Sequence, residues 1–338
     1  MDQTKLIKKK EKRKNKPINN ALQADIKKLE IIKQASRFDQ ALIHSDGLKK
    51  SALIARRQFQ PYYFMRPPLW RVLFRAGLFR KRMVPDFFSI GAVRSGTTIL
   101  SDLIMQHPCV VLPLAKEMGL RETPISWLLS AQFPTMKKKS LVETKYGRAA
   151  TGFCSPVVPS MLFSYLAPNI NKAGKIVLIM RNPVERTFSH WKWDQIPLKK
   201  IKKDPLWHNF PDFHQLVNAE LDAAKSFATT GICLTGVGAG GYIQHSIYLP
   251  FIKSLYETFG KQNIMLINAN AFFENPSERV QEVYRFLDLP EYIPLDMPIG
   301  NETQKVKLDN VTREKLSDFF APLNQQLYEF IGEDYAWE

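Results

Sequence analysis

Between the apolar run Asp86 to Ala92 (DFFSIGA) and the helix-spaced run SGTTILSDLIMQ, the chain reads Gly91-Ala92-Val93-Arg94-Ser95-Gly96-Thr97-Thr98. No other segment limits the fold as tightly. The apolar run reads as a buried strand and the run after it as a helix, so the glycines lie in a strand-to-helix connection. Such a connection turns successive backbone N–H groups and a helix N-terminus toward one point, which favours an anion without any charged side chain.

The same alternation continues downstream. CVVLP (Cys109 to Pro113) reads as a second short strand and GKIVLIMR (Gly174 to Arg181) as the clearest central one. NPVERTFSHWKW follows as a helix, and the stretch from Pro197 to about Phe213, with Lys199, Lys200, Lys202 and Lys203 among prolines, reads as an exposed insertion. GAGGY precedes a helix from about Ile243 to Phe259; NIMLINAN is another buried strand, SERVQEVYRFLDL another helix, and TREKLSDFFAPLNQQLYEFIG a final amphipathic helix. Short apolar runs alternating with helices imply stacked βαβ units. The expected class is α/β: a P-loop-like, mainly parallel sheet flanked by helices over residues 85–338, with a basic helical N-terminal extension.

Charge separates that extension from the rest. Residues 1–84 hold 22 Lys and Arg against 6 Asp and Glu, which accounts for the whole net charge of +16, whereas residues 85–338 hold 26 of each. Residues 1–20 combine a lysine run with few apolar side chains and read as a disordered basic tail; residues 21–84 read as a basic amphipathic helical extension. Its stretch PYYFMRPPLWRVLFRAGLFRKRM suits either an anionic membrane surface or a helix packed on the main domain. A nucleic-acid-binding domain is not expected, because the basic excess is confined to this quarter of the chain. No run of about 18 apolar residues spans a bilayer, no signal peptide is written, and the three cysteines form no CxxC or Cys/His pattern. A cytoplasmic protein, held at the inner membrane surface by its basic arm, is the expectation.

The loop has the spacing of the phosphate-binding GxxxxGK[ST], but Thr97 stands at the lysine position and Arg94 brings the positive charge instead. The central strand ends in Arg181, where a magnesium-dependent NTPase would typically carry an aspartate, and no Asp-x-Asp pair occurs. Anion binding without a metal follows from these residues. A nucleotide kinase or NTPase on the same fold remains an alternative, as does a non-catalytic basic binding protein.

Two motifs in order and at the right spacing, GAVRSGTT and RNPVERTFSHW (Arg181 to Trp191), resemble the 5′-phosphosulfate and 3′-phosphate elements of the sulfotransferases that use 3′-phosphoadenylyl sulfate. GGYIQHSIYLPFIKSLYETFGKQNIMLINANAFFENPSERVQEVYRFLDLP resembles the C-terminal half of heparan-sulfate-type and bacterial members. The resemblance implies that the backbone of Arg94, Ser95, Gly96, Thr97 and Thr98 cradles the phosphosulfate, with both threonine hydroxyls bonding its oxygens. Arg94 would stabilise charge growing on the bridging oxygen, and Arg181 and Ser189 would hold the 3′-phosphate. In LPLAKEMGL, Glu117 matches the general base and Lys116 a charge partner. There the chain departs from the family, reading Met118-Gly119-Leu120 where two aromatics are usual, and Phe153 replaces a glutamate in Gly152-Phe153-Cys154-Ser155-Pro156. His107 and His190 are rival bases or structural histidines; Tyr242 lines the cleft or sits in the core; Glu185 and Arg186 read as a structural ion pair. Lys305 and Lys307 lie where related enzymes bring a basic loop over the nucleotide, and Trp337 reads as packing. The implied acceptor is a hydroxyl or amine on a glycan or glycolipid, with no metal involved.

Overall fold

Four parallel strands carry the architecture, in the spatial order β2-β1-β3-β4. The computed structural model describes residues 80–114, 130–155, 174–200, 212–230, 241–294 and 306–337. In chain order the elements are β1 Phe87–Gly91, α1 Thr97–Gln106, α2 Met136–Tyr146, β2 Gly152–Ser155, β3 Lys175–Met180, α3 Pro183–Lys200, α4 Phe213–Thr230, α5 Leu249–Phe259, β4 Ile264–Asn268, α6 Ala269–Glu274, α7 Pro276–Phe286 and α8 Asn310–Ile331.

β1 and β3 are buried on both faces, as the interior strands of a parallel sheet with helices on either side must be. Their residues alternate between two cores. Phe88, Ile90, Ile176, Leu178 and Met180 pack with Ile252 and Leu255 of α5; Phe87, Val177 and Ile179 pack with Leu100, Leu103 and Ile104 of α1 and Val280 and Val283 of α7. Register follows from this pattern, with Ser89 opposite Val177 and Val177 opposite Met265, because a slip of one residue would exchange the two faces. The chain leaves β1 for β2 on one side and leaves β3 for β4 on the other. The loops after β1 and β3 therefore diverge at the carboxyl edge of the sheet, where open α/β folds form a ligand crevice.

The far end of the chain braces β3 and β4. Trp337 packs its ring on Tyr248 and Tyr335 and donates from Nε1 to Asn268 Oδ1 at 3.4 Å, while Asn268 Nδ2 donates to Tyr335 O at 3.3 Å. Trp337 is therefore a packing residue, as the sequence suggests.

Several boundaries differ from the sequence reading. CVVLP forms only an isolated bridge, Val110 to Ala150, and the strand beside β1 is Gly152–Ser155. Val110 and Val111 are buried yet sit outside the ladder, so apolarity marked burial and not pairing. Pro197 lies within α3, which runs on to Lys200, so the insertion begins later than expected. The helix expected from Ile243 begins as a 3₁₀ turn, Gln244–Ser246, and turns α-helical only at Leu249. Arg80 to Val84 is not helical; Arg82 bridges Thr135 there, and the rest of the extension lies outside the described residues. Helices α2 and α4 had no sequence expectation. Among the described residues, no helix is long and apolar enough to cross a membrane.

Candidate functional site

The loop after β1 is shaped by two left-handed residues, Arg94 at φ 71° and Gly96 at φ 95°. A non-glycine residue in that region costs about 1–3 kcal/mol and persists only where its surroundings hold it. At Arg94 they do. Its Nε donates to Ser189 Oγ at 3.2 Å, its guanidinium lies 4.5 Å from the centroid of the Trp193 ring, and its carbonyl accepts from Arg181 Nη1 at 3.4 Å. The side chain thus reaches α3 while the backbone receives the residue that ends β3.

Gly96 caps α1 without any side-chain hydrogen bond, and no acidic residue stands in the helix's first turn. Leu100 N–H donates to Gly96 O at 3.2 Å, so the N–H groups of Gly96, Thr97, Thr98 and Ile99 precede the first intrahelical bond. Among the described residues, neither a side-chain cap nor a first-turn carboxylate offsets their partial positive charge. Ser95 Oγ is buried without a partner at ordinary hydrogen-bond geometry, its contact with the Tyr248 hydroxyl falling short of it. A buried hydroxyl and four converging N–H groups suit an anion's oxygens. The glycines make that convergence possible: a β-carbon at Gly91 would overlap the Thr97 methyl, and one at Gly96 the Phe273 ring.

The turn after β3 contrasts with this. Asn182 Oδ1 accepts from Val184 N at 2.9 Å and from Glu185 N at 3.2 Å, so α3 caps itself. What the turn offers instead is a cation. Arg181 is held by its own carbonyl, which accepts from the Tyr248 hydroxyl at 2.8 Å, and its side chain faces Arg94 and Glu185. One helical turn beyond Glu185, Ser189 is buried and points at Arg94. Lys192 joins the group: burial presses its ammonium below the usual lysine range, Glu185 opposes this, and Arg181 and Arg94 add to it.

Arg186, expected in an ion pair with Glu185, turns the other way. It is fully buried; Nε donates to Ser246 Oγ at 2.5 Å, Nη1 to Val93 O at 3.2 Å and Nη2 to Tyr242 O. Arg186 therefore ties the β1 loop to the 241–246 turn from below. That turn has a second anchor in Glu220 of α4, whose carboxylate accepts from Gly241 N at 2.7 Å and Ile243 N at 3.1 Å. Neither role was legible in the sequence. The one signal was spacing, since Arg186 lies on the buried side of a helix that also carries Glu185 and Ser189.

The histidines divide similarly. His107 Nδ1 accepts from Cys109 N at 3.1 Å, so Nε2 carries the proton and donates to Pro290 O at 2.8 Å. It is a structural residue. His190 stacks on His245 at 5.7 Å and meets Tyr242 edge-on at 4.7 Å. Burial first, then the Arg186 charge, holds His190 well below the usual imidazole range and pushes His245 down to about 3. Both are neutral at physiological pH. Tyr242 is buried in the core with Val184 and Ile243; its carbonyl, bound by Arg186, is what it lends to the site.

The fold thus brings Arg94, Ser95, Gly96, Thr97 and Thr98 together with Arg181 and Ser189. Thr97 is buried and Thr98 half-buried. Lys307 is exposed; Lys116, Glu117 and Lys305 lie outside the described residues.

Comparison with known proteins agrees with this geometry. The model of the Sulfotransferase domain family matches residues 84–319. The bifunctional heparan sulfate N-deacetylase/N-sulfotransferase 1 of Caenorhabditis briggsae is 22% identical over 282 residues, covering 75% of this chain and 31% of that protein. The membrane-associated sulfotransferase kil1 of Dictyostelium discoideum is 20% identical over 332 residues, covering 75% of this chain and 67% of the relative. This chain spans about a third of the length of the first relative and two thirds of the second. A sulfotransferase structure from Alicyclobacillus acidocaldarius superposes with a TM-score of 0.50 at 20% identity, over 75% of this chain and 98% of that one, and so shares the fold.

Proposed function

Because the chain belongs to the Sulfotransferase domain family, we propose that residues 85–338 transfer a sulfuryl group from 3′-phosphoadenylyl sulfate to an acceptor hydroxyl or amine. One observation carries the reading: an uncapped helix N-terminus after β1 and a paired Arg94–Ser189 contact stand beside Arg181 at the end of β3. Two anion-binding positions at neighbouring strand ends suit a nucleotide with phosphates on both its 5′ and 3′ positions.

The donor supplies an activated sulfuryl group on its 5′-phosphate. The N–H groups of Gly96 to Ile99 and the Ser95 hydroxyl hold the 5′ end, with the Thr97 and Thr98 hydroxyls, while Arg181 and Ser189 hold the 3′-phosphate. As the S–O bond to the phosphate breaks, negative charge grows on the bridging oxygen, and in this reading Arg94 is the cation that stabilises it. Its left-handed backbone, the Trp193 ring and Ser189 fix it before the reaction, so little reorganisation is needed. In this reading Glu117 takes the acceptor's proton, Lys116 serves as a charge partner, and Lys305 and Lys307 are further cations for the nucleotide. His190, whose Nδ1 lies 3.4 Å from Arg186 Nη1, and His245 are neutral and leave the proton transfer to that carboxylate.

A glycan acceptor fits the name of the heparan sulfate relative. Residues 1–84, with their charge of +16, form an extension that holds a cytoplasmic enzyme to an anionic membrane surface, a reading the name of the Dictyostelium relative also favours. The donor reading is tested by calorimetric titration with adenosine 3′,5′-bisphosphate and with ATP, each with and without magnesium, on wild type and Arg181→Ala. Bisphosphate binding that ignores magnesium and is lost in the variant is expected. Preference for magnesium-ATP would overturn it in favour of an NTPase.

A further inference from the structure

Glu185 is the one acidic group the described site places against its cations, and its position is peculiar. It follows Arg181 by four residues, one turn into α3, and its Oε2 lies 3.9 Å from Arg181 Nη2. Its Oε1 is held at 2.8 Å by Arg313 Nη1, which comes from α8 near the other end of the chain. The carboxylate is therefore shared unequally: closely bound by Arg313, only distantly by Arg181.

That inequality matters to an incoming phosphate. A carboxylate and a phosphate compete for the same forked donors of an arginine, and a close bidentate pair with Glu185 would occupy the face of Arg181 that a phosphate needs. Nothing in the geometry prevents such a pair, since the two groups already lie 3.9 Å apart across the turn from β3 into α3. What draws the carboxylate the other way is Arg313. The side chains concerned are all about one-third to one-half exposed, so each can turn. Lys192 is the other cation within Coulombic reach of Glu185, and it also faces Arg181 and Arg94.

We propose that Arg313 is a positioning residue for the 3′-phosphate position: by holding Glu185, it keeps the Arg181 guanidinium available to the donor. The inference rests on the donor reading above. Among the described residues Arg313 pairs with Glu185 and not with Arg181, and it acts through the carboxylate between them. Without Arg313, Glu185 closes on Arg181 and the affinity that depends on a 3′-phosphate is lost, whereas affinity for the 5′ end is untouched.

The experiment is titration calorimetry with adenosine 3′,5′-bisphosphate and with adenosine 5′-phosphate, on wild type, Arg313→Ala, Glu185→Gln and the double variant, each checked for an unchanged melting temperature. Arg313→Ala is expected to weaken the bisphosphate by about tenfold, the scale of coupling within one ion-pair network, and to leave the monophosphate unchanged. Glu185→Gln in the same chain should restore the bisphosphate. Equal loss for both nucleotides would make Arg313 merely structural, loss without rescue would make it a direct phosphate ligand, and no loss would deny it any part; each overturns the proposal. A wild type that does not prefer the bisphosphate to the monophosphate would instead refute the donor reading itself.

Discussion

A methyl group at position 96 must find room twice over. Gly96 has φ 95°, a region that an L-residue enters at a cost of about 1–2 kcal/mol. Its β-carbon would also overlap the tip of the Phe273 ring and lie 2.9 Å from Cε2. Phe273 is 43% exposed and can swing aside, so the overlap belongs at the lower end of the roughly 1–3 kcal/mol that overpacking costs. Gly96→Ala should therefore destabilise by about 2–4 kcal/mol, which for a domain of this size lowers the melting temperature by roughly 5 to 15 °C. Scanning calorimetry on Gly96→Ala, Phe273→Ala and the pair separates the two terms. In the Phe273→Ala background the alanine should cost only the backbone share, about half of its effect in wild type. A Gly96→Ala protein that melts within a degree of wild type, or one whose penalty is unchanged without Phe273, would refute the reasoning from loop geometry.

Arg186→Met should destabilise by about 3–5 kcal/mol in urea denaturation, because it strands the carbonyls of Val93 and Tyr242 and leaves the half-buried Glu220 without its nearby charge. An effect under 1 kcal/mol would mean the buried guanidinium is replaceable. Arg94→Ala should lower kcat by about 10²–10³, and Trp193→Leu by less, with Trp193→Phe recovering most of it; a change in KM alone would place Arg94 in binding and not in charge stabilisation. His190 and His245 are neutral when folded but protonate in the unfolded chain below pH 6.5, so unfolding takes up protons and stability must fall with falling pH. Between pH 6 and 5 the slope approaches about 1.4 kcal/mol per unit for each histidine, and thermal melts that stay flat over that range would contradict their buried neutrality.

How far the sequence reveals this fold depends on how local the cause is. β1, β3, β4 and the glycine loop were readable because each is written in contiguous residues: apolar runs with one-residue periodicity, and glycines where a β-carbon has no room. That Arg181 and Ser189 lie beside the glycine loop was readable because both belong to one strand-to-helix unit. CVVLP misled because burial alone looks like a strand, whereas pairing needs a neighbour that only the tertiary fold supplies. The roles of Arg186, Glu220 and Arg313 were illegible for the same reason. Each acts on residues far along the chain: Arg186 on Tyr242 and Ser246, Glu220 on Gly241 and Ile243, Arg313 on Glu185. An ion pair between neighbours is the natural guess for Glu185 and Arg186, and helical geometry defeats it, because consecutive residues point about 100° apart.

The tilted packing of the Trp337 ring on Tyr248, whose hydroxyl fixes the Arg181 carbonyl, has a consequence for how this edge of the sheet becomes ordered. Arg181 and Trp337 lie far apart in sequence, so this contact carries the loop-closure cost of a non-local pairing. The carboxyl end of β3 therefore takes its final anchoring only when Tyr335 and Trp337 dock beside Tyr248, which ties the order of this edge to a segment that shares no strand or helix with it.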